Sequence, residues 1–380
     1  MQLRGSKQAA VAGGAVVAAI ALAACSSSTS SSTTAPAATT SAAASAAAST
    51  PAAATSSSAA ALSGTINASG STFQTNFQQG AISAFKTVQP GVTVNYGGGG
   101  SGAGRTALYA NTVLFAGSDS PIPAADKSKV PAGKTVLYFP VQIGPIAIAY
   151  NLPGVTGLKL DAPTLAKIFS GKITTWNDPA IKALNSGANL PSTPITLAVR
   201  SDSSGTTQNF SLYLEKAAGS AWTLGSASTI DWPKSAHAAN GGSGLAQAVK
   251  STTGAIGYVD FSTATASGLS AATIKNSAGA WVAPSPAAAT AAANNVTPAA
   301  DLTFTTVDEP GAASYPITYQ SWDLVYAEQP NANDAALLKA YLGYLLGAGQ
   351  PLLTQLDLAP LPSAIDSAAV AQLDKITSAS

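Results

Sequence analysis

The chain has 380 residues, 18 Lys+Arg against 17 Asp+Glu, a net charge of +1 and only 9% charged residues, where a soluble protein ordinarily carries roughly 25%. That balance excludes a reader of nucleic acid, which needs a basic face to neutralise phosphates. A single His and a single Cys exclude a His/Cys zinc site, while 46% hydrophobic residues allow a large buried core.

Arg4 and Lys7 precede an uncharged run from Gln8 to Ala24, followed by Cys25. A basic start, a short apolar stretch and small residues at its end describe a secretory signal over residues 1–24. The 17-residue run is marginal against the ~20 residues that span a bilayer. Leu22-Ala23-Ala24-Cys25 is similar to the bacterial lipobox, in which the Cys thiol receives a diacylglyceryl group and becomes the first mature residue. A stray Cys ending an ordinary signal peptide is the plainer alternative. No Cys follows, so intrachain disulfides are excluded. Residues 26–61 are Ser, Thr, Ala and Pro only, and nothing there offsets the entropy of ordering a backbone. Residues 25–61 therefore read as a lipidated Cys and a disordered tether, with an r.m.s. reach of ~30–36 Å. Its composition permits O-glycosylation.

From Gly64 onward, strand and helix patterns alternate. Gly64–Ala68 reads as a strand, and Phe73, Phe77, Ala81 and Phe85 recur every fourth residue along one buried helix face. Pro90-Gly91 ends that helix, and Val92–Tyr96 is the next strand. Gln142–Asn151 is almost wholly apolar, interrupted by Pro145. Asp161–Phe169 has helical spacing. Ile195–Val199 and Ala255–Val259 are further buried strands, and Asp334–Leu346 is a further helix. This order is the grammar of an open α/β sheet, in which ligands sit where strands end and helices begin.

Three loops fit that position: Ser69–Phe73, Gly97–Arg105 and Arg200–Thr207. Each follows a predicted strand, opens a predicted helix and is rich in Gly and small hydroxyl residues. Free backbone N–H groups can converge there on something negative. Any one alone is satisfied by ordinary capping and turn chemistry; three together, one led by Arg200, point to an oxyanion site. The Gly-rich stretch lacks the Gly-Lys-Ser/Thr ending of a nucleotide P-loop, and no Gly-x-Ser-x-Gly elbow is present. His237, in Ala236–Asn240, reads as a loop or surface His without chemistry. Trp176 reads as packing, and Ser285 as an N-cap ahead of Pro286.

Five segments carry a resemblance, in order: Gly70–Phe73; Ala110–Asp119 (ANTVLFAGSD); Phe169–Asp178 (FSGKITTWND); Arg200–Thr206 (RSDSSGT); and Gly254–Val259 (GAIGYV). Together they resemble the phosphate-binding protein of the bacterial high-affinity phosphate ABC transporter, the PstS family, over residues 64 to about 365. The resemblance implies an α/β, two-lobed periplasmic-binding-protein fold of the type II, venus-flytrap kind, with the ligand cleft between lobes. Lobe I is expected at 62–142 and 316–380 and lobe II at 143–315, with crossings near 139–145 and 313–320. It implies phosphate ligands at Thr72, Phe73, Ser101, Asp119, Arg200, Ser204, Gly205 and Thr206, with no cofactor and no catalysis. It further implies an extracytoplasmic lipoprotein, monomeric and lipid-anchored at Cys25 to the outer face of the cell membrane, that delivers inorganic phosphate to ABC permease subunits. Leu114 departs from the pattern, standing where an acidic residue is usual, and the four-Gly run before Ser101 is unusually plain.

In that reading Thr72, Ser101, Ser204 and Thr206 donate through hydroxyls, Phe73 through its backbone N–H, and Arg200 through a charged fork. Asp202, two residues on, is expected to orient Arg200. Asp119 can only accept, so it favours an anion that keeps a proton, as phosphate does at neutral pH and sulfate does not. Other readings are a receptor for another oxyanion, a phosphate sensor, or a secreted phosphatase using a loop Ser. The last lacks clustered carboxylates or His to serve as base.

Overall fold

A computed structural model describes residues 61–379; the expected signal segment, Cys25 and all but the last residue of the expected tether lie outside the described residues. Strands β1 (Gly64–Gly70), β2 (Val92–Gly97), β3 (Phe115–Ser118), β4 (Val136–Asn151), β5 (Thr196–Arg200), β6 (His237–Ala239), β7 (Ala255–Asp260), β8 (Ser270–Ala271) and β9 (Thr318–Tyr326) form one nine-stranded sheet. Its order is β2-β1-β3-β9-β4-β7-β5-β6, with β8 paired to β4. The helices that matter for the site are α1 (Thr75–Val88), α2 (Ser101–Tyr109), α3 (Ala162–Phe169), α4 (Gly205–Ala217), α5 (Gly241–Ser251), α6 (Pro286–Ala293) and α7 (Ala332–Leu346).

Two parallel trios, β2-β1-β3 and β7-β5-β6, flank the antiparallel pair β9 and β4. β4 serves both: its first part, Val136–Pro145, pairs with β9, and its second part, Ile146–Asn151, pairs with β7. Buried on both faces, it reads as a continuous apolar run. Pro145 is tolerated although it has no N–H to give, and the ladder resumes at Ile146, whose N–H donates to Ile317 at 2.7 Å.

Local signals place the elements well. Asp161 caps α3 by accepting from the Thr164 amide, and Ser285 caps α6 by accepting from the Ala288 amide. Trp176 is fully buried and donates its indole N–H to the Gly254 carbonyl at 2.9 Å; it is packing. His237 is exposed on the edge strand β6. Phe73, Phe77, Ala81 and Phe85 are all buried, yet the helix begins two residues after Phe73, at Thr75. Phe73 lies in the turn before it, its ring stacked on Tyr319 of β9 with centroids 4.0 Å apart. Tertiary stacking, not helical periodicity, buries that ring.

β1, β2, β5 and β6 each end in a short loop that runs into a helix. The N-termini of α1, α2, α4 and α5 are consequently brought to the middle of the fold.

Candidate oxyanion site

Asp119 follows the last residue of β3 and is 1% exposed. Its Oδ1 accepts from Ser71 Oγ at 2.5 Å and from Ser321 Oγ at 2.6 Å. Its Oδ2 faces Ser101, whose Oγ donates at 3.3 Å while accepting from the Asp119 amide at 3.1 Å. The Asp119 carbonyl accepts from Asn209 Nδ2 of α4 at 2.7 Å and from Gln320 Nε2 at 3.4 Å. Burial pushes the carboxyl up to about 6, against the hydrogen bonds of Ser321, Ser71 and Ser101 and the charge of Arg200.

Arg200 ends β5, its side chain 2% exposed, and its backbone N–H donates to the Tyr258 hydroxyl at 3.1 Å. The guanidinium is gripped in a fork by Asp202: Nε donates to Oδ1 at 2.7 Å and Nη2 donates to Oδ2. The Gly241 amide, at the start of α5, adds a bond to the same carboxylate at 3.0 Å. Burial raises the Asp202 carboxyl, but the Arg200 fork, its charge and that amide outweigh it and hold the group below the usual carboxylate range. Two of the five guanidinium N–H groups are committed to Asp202, and three remain able to donate. The expected orienting role of Asp202 is thus built in geometry.

The remaining expected residues gather around these two. Ser204 caps α4 by accepting from the Thr207 amide at 3.2 Å, which leaves its hydroxyl proton to donate. Thr206 is 3% exposed. Gly205 abuts Asp119 so closely that a Cβ there would lie 2.5 Å from both the Asp119 Cβ and Ser101 Oγ; only glycine admits the helix end. Thr72 Oγ1 accepts from the Gly242 amide of α5 at 3.3 Å. The Phe73 amide donates to Ser71 Oγ at 3.1 Å. Leu114 is half-buried against the core.

The two trios touch across this cluster. The Gly102 amide donates to the Ser203 carbonyl at 3.0 Å, beside the Thr72–Gly242 and Asn209–Asp119 bonds. Sequence reasoning passed over Ser71, Ser321, Asn209, Gln320 and the start of α5. Ser71 lay inside a loop already singled out. The others carry no local motif.

Backbone amides of helix N-termini, hydroxyls and one fixed guanidinium supply donors from both sides, and one carboxylate supplies an acceptor. Among the described residues, no group of three or more His, Cys, Asp or Glu gathers as metal ligands would. A small, partly protonated oxyanion is what such a cradle fits, and a sheet with one strand pair shared between two α/β trios beside such a cradle is the architecture of a two-lobed solute-binding protein. Residues 26–348 match the PBP superfamily domain. Phosphate-binding protein PstS 2 of Mycobacterium tuberculosis is 37% identical over 329 residues, 82% of this chain and 87% of that protein. Phosphate-binding protein PstS of Pasteurella multocida is 36% identical over 309 residues, 79% of this chain and 87% of its own. The chain belongs to the PstS family of phosphate-binding proteins. Among solved structures, the high-affinity periplasmic phosphate-binding protein PfluDING, bound with phosphate, has a TM-score of 0.68 at 25% identity, covering 81% of this chain and 94% of that one. A phosphate-binding protein from Stenotrophomonas maltophilia shares the fold at a TM-score of 0.66 and 21% identity, covering 81% and 93%.

Proposed function

We propose that this protein captures inorganic phosphate between its two lobes and hands it to an ABC permease from the outer face of the cell membrane, held there by a lipid on Cys25. The observation that carries the ligand is Asp119: a buried carboxylate among convergent donors, with Oδ2 turned toward Ser101 and the start of α4. At neutral pH phosphate is mostly a dianion with one proton. Arg200, the hydroxyls of Thr72, Ser101, Ser204 and Thr206, and the amide of Gly205 would take its unprotonated oxygens, and Asp119 its proton; the expected Phe73 amide already donates to Ser71 Oγ and is not counted among these donors. Sulfate has no proton to give and would leave the carboxylate unpaired and repelled; analogues missing one buried partner are rejected by ~10⁴–10⁵-fold in sites of this kind.

The lobe division at 142/143 and 315/316 belongs to this reading. It is supported by β4, whose partner changes from β9 to β7 between Pro145 and Ile146. Closure of the lobes around the anion would present one joined surface to the permease. The lipid anchor rests on the sequence before Cys25, and an extracytoplasmic location is supported by PfluDING, a periplasmic phosphate-binding protein of similar fold. Calorimetric titration of the purified protein, stripped of endogenous anion, tests the reading. One-to-one phosphate binding without a sulfate signal is expected, and sulfate binding of comparable strength would overturn it.

A further inference from the structure

The two oxygens of Asp119 are not equivalent, and hydrogen-bond direction explains why. Gln74, fully buried just ahead of α1, donates from Nε2 to the Trp322 carbonyl at 3.0 Å and to Ser321 Oγ at 2.8 Å. A carbonyl only accepts, so the nitrogen end of the Gln74 amide must face β9. Its oxygen end accepts from Gln78 Nε2 at 3.0 Å, which fits the same orientation. Ser321 therefore accepts from Gln74, and its own single proton goes to Asp119 Oδ1 at 2.6 Å in preference to the Ser118 carbonyl at 3.4 Å, the longer and uncharged alternative. Ser71 repeats the logic on the other side: it receives the Phe73 amide and gives its proton to the same Oδ1. A shift of register between Ser321 and Trp322 in the β9–β4 ladder lies at the point from which Ser321 reaches Asp119.

We infer that Ser321, oriented by Gln74, is a specificity-determining positioning residue of the phosphate site: with Ser71 it occupies Asp119 Oδ1 with two short donors of fixed direction, leaving Oδ2, which Ser101 Oγ reaches only at 3.3 Å, as the atom with room to accept the ligand's proton. This rests on the phosphate reading above. A carboxylate free to use either oxygen could turn a proton of its own toward a fully ionised anion. Here such a proton sits on Oδ2 only, and acquiring it weakens both serine hydrogen bonds, since a neutral acceptor holds them less strongly than a charged one. The two serines thereby set how far the pH must fall before Asp119 can offer a proton to sulfate. The other titratable groups around Asp119 are Arg200 and Asp202 from the β5 loop, Arg105 of α2, Tyr96 of β2, and Tyr319 and Asp323 of β9. Ser321→Ala changes none of them.

The test is sulfate affinity against pH, since sulfate itself does not titrate over pH 5–8, with phosphate titrated in parallel on wild type and Ser321→Ala. Wild type is expected to bind sulfate only at the acid end, with affinity falling as pH rises through the titration of Asp119. A hydrogen bond to a charged group is worth about one pK unit, so the alanine profile should move up by about one pH unit, making sulfate about tenfold tighter at pH 8. An unmoved sulfate profile in a variant that still binds phosphate overturns the inference and leaves the phosphate reading intact. A wild type that binds no phosphate overturns that reading instead. Should Ser321→Ala fail to fold, Ser71→Ala removes the other donor on Oδ1 and must give the same displacement; its absence there overturns the inference equally.

Discussion

Asp323 lies on β9, fully buried, where its carboxylate accepts from Gln78 Nε2 at 3.2 and 3.4 Å and forms no ion pair with Lys, Arg or His among the described residues. Burial pushes the carboxyl from 3.8 up to about 7, against the hydrogen bonds of Gln78 and Gln74. Because the folded state holds this proton more tightly than the unfolded chain, stability falls as pH rises between those two values. Roughly three pK units correspond to about 4 kcal/mol of penalty, fully present above pH 7 and absent below pH 4. Asp323→Asn keeps the shape and removes the charge, while its new amide N–H groups cost about 1–3 kcal/mol if one goes unpaired. The variant should therefore be about 1–3 kcal/mol more stable than wild type at pH 8, and equal or less stable at pH 4.5. Urea unfolding followed by tryptophan fluorescence, phosphate-free, at both pH values measures it. Asp119 titrates in both proteins and cancels in the difference. A stability difference that is the same at both pH values would refute the reasoning.

Asp119→Asn replaces the lone acceptor by a group that can also donate, so phosphate-over-sulfate selectivity should narrow by at least ~10²-fold; paired titrations with an unchanged ratio would contradict the role. Gly102→Ala would set a Cβ 2.2 Å from Ser203 Oγ and 2.4 Å from its Cβ across the cleft. Overpacking of ~1–3 kcal/mol translates into roughly 5- to 150-fold weaker phosphate binding, and wild-type affinity in that variant would show that the two loops need not meet. Cys25→Ser should move the protein from the membrane fraction to the soluble one with phosphate affinity unchanged; persistence in the detergent phase of a partition assay would remove Cys25 as the anchor.

Much of this protein is local and was therefore legible. Caps such as Asp161, Ser204 and Ser285 act within three residues of themselves, and the loops that follow β1, β2 and β5 announce their helix N-termini by Ser, Thr and Gly alone. That is enough to read an α/β sheet with an oxyanion site, and Arg200 with Asp202 two residues on is enough to read the charged fork. The start of α1 was misplaced because Phe73 is buried by stacking on Tyr319, a contact across the sheet that mimics helical spacing. Gln74 and Gln78 look like ordinary polar helix residues, and Gln320, Ser321 and Asp323 lie in a mixed polar and apolar stretch, Thr318–Tyr326, that carries no local motif. Only the fold sets Gln74 against Ser321, 247 residues away in the chain, and so makes the two oxygens of Asp119 unequal. Sequence determines what each residue can donate or accept; where that capacity is spent depends on which distant strand arrives beside it, because hydrogen bonds act over about 3 Å and nothing in local periodicity measures that distance.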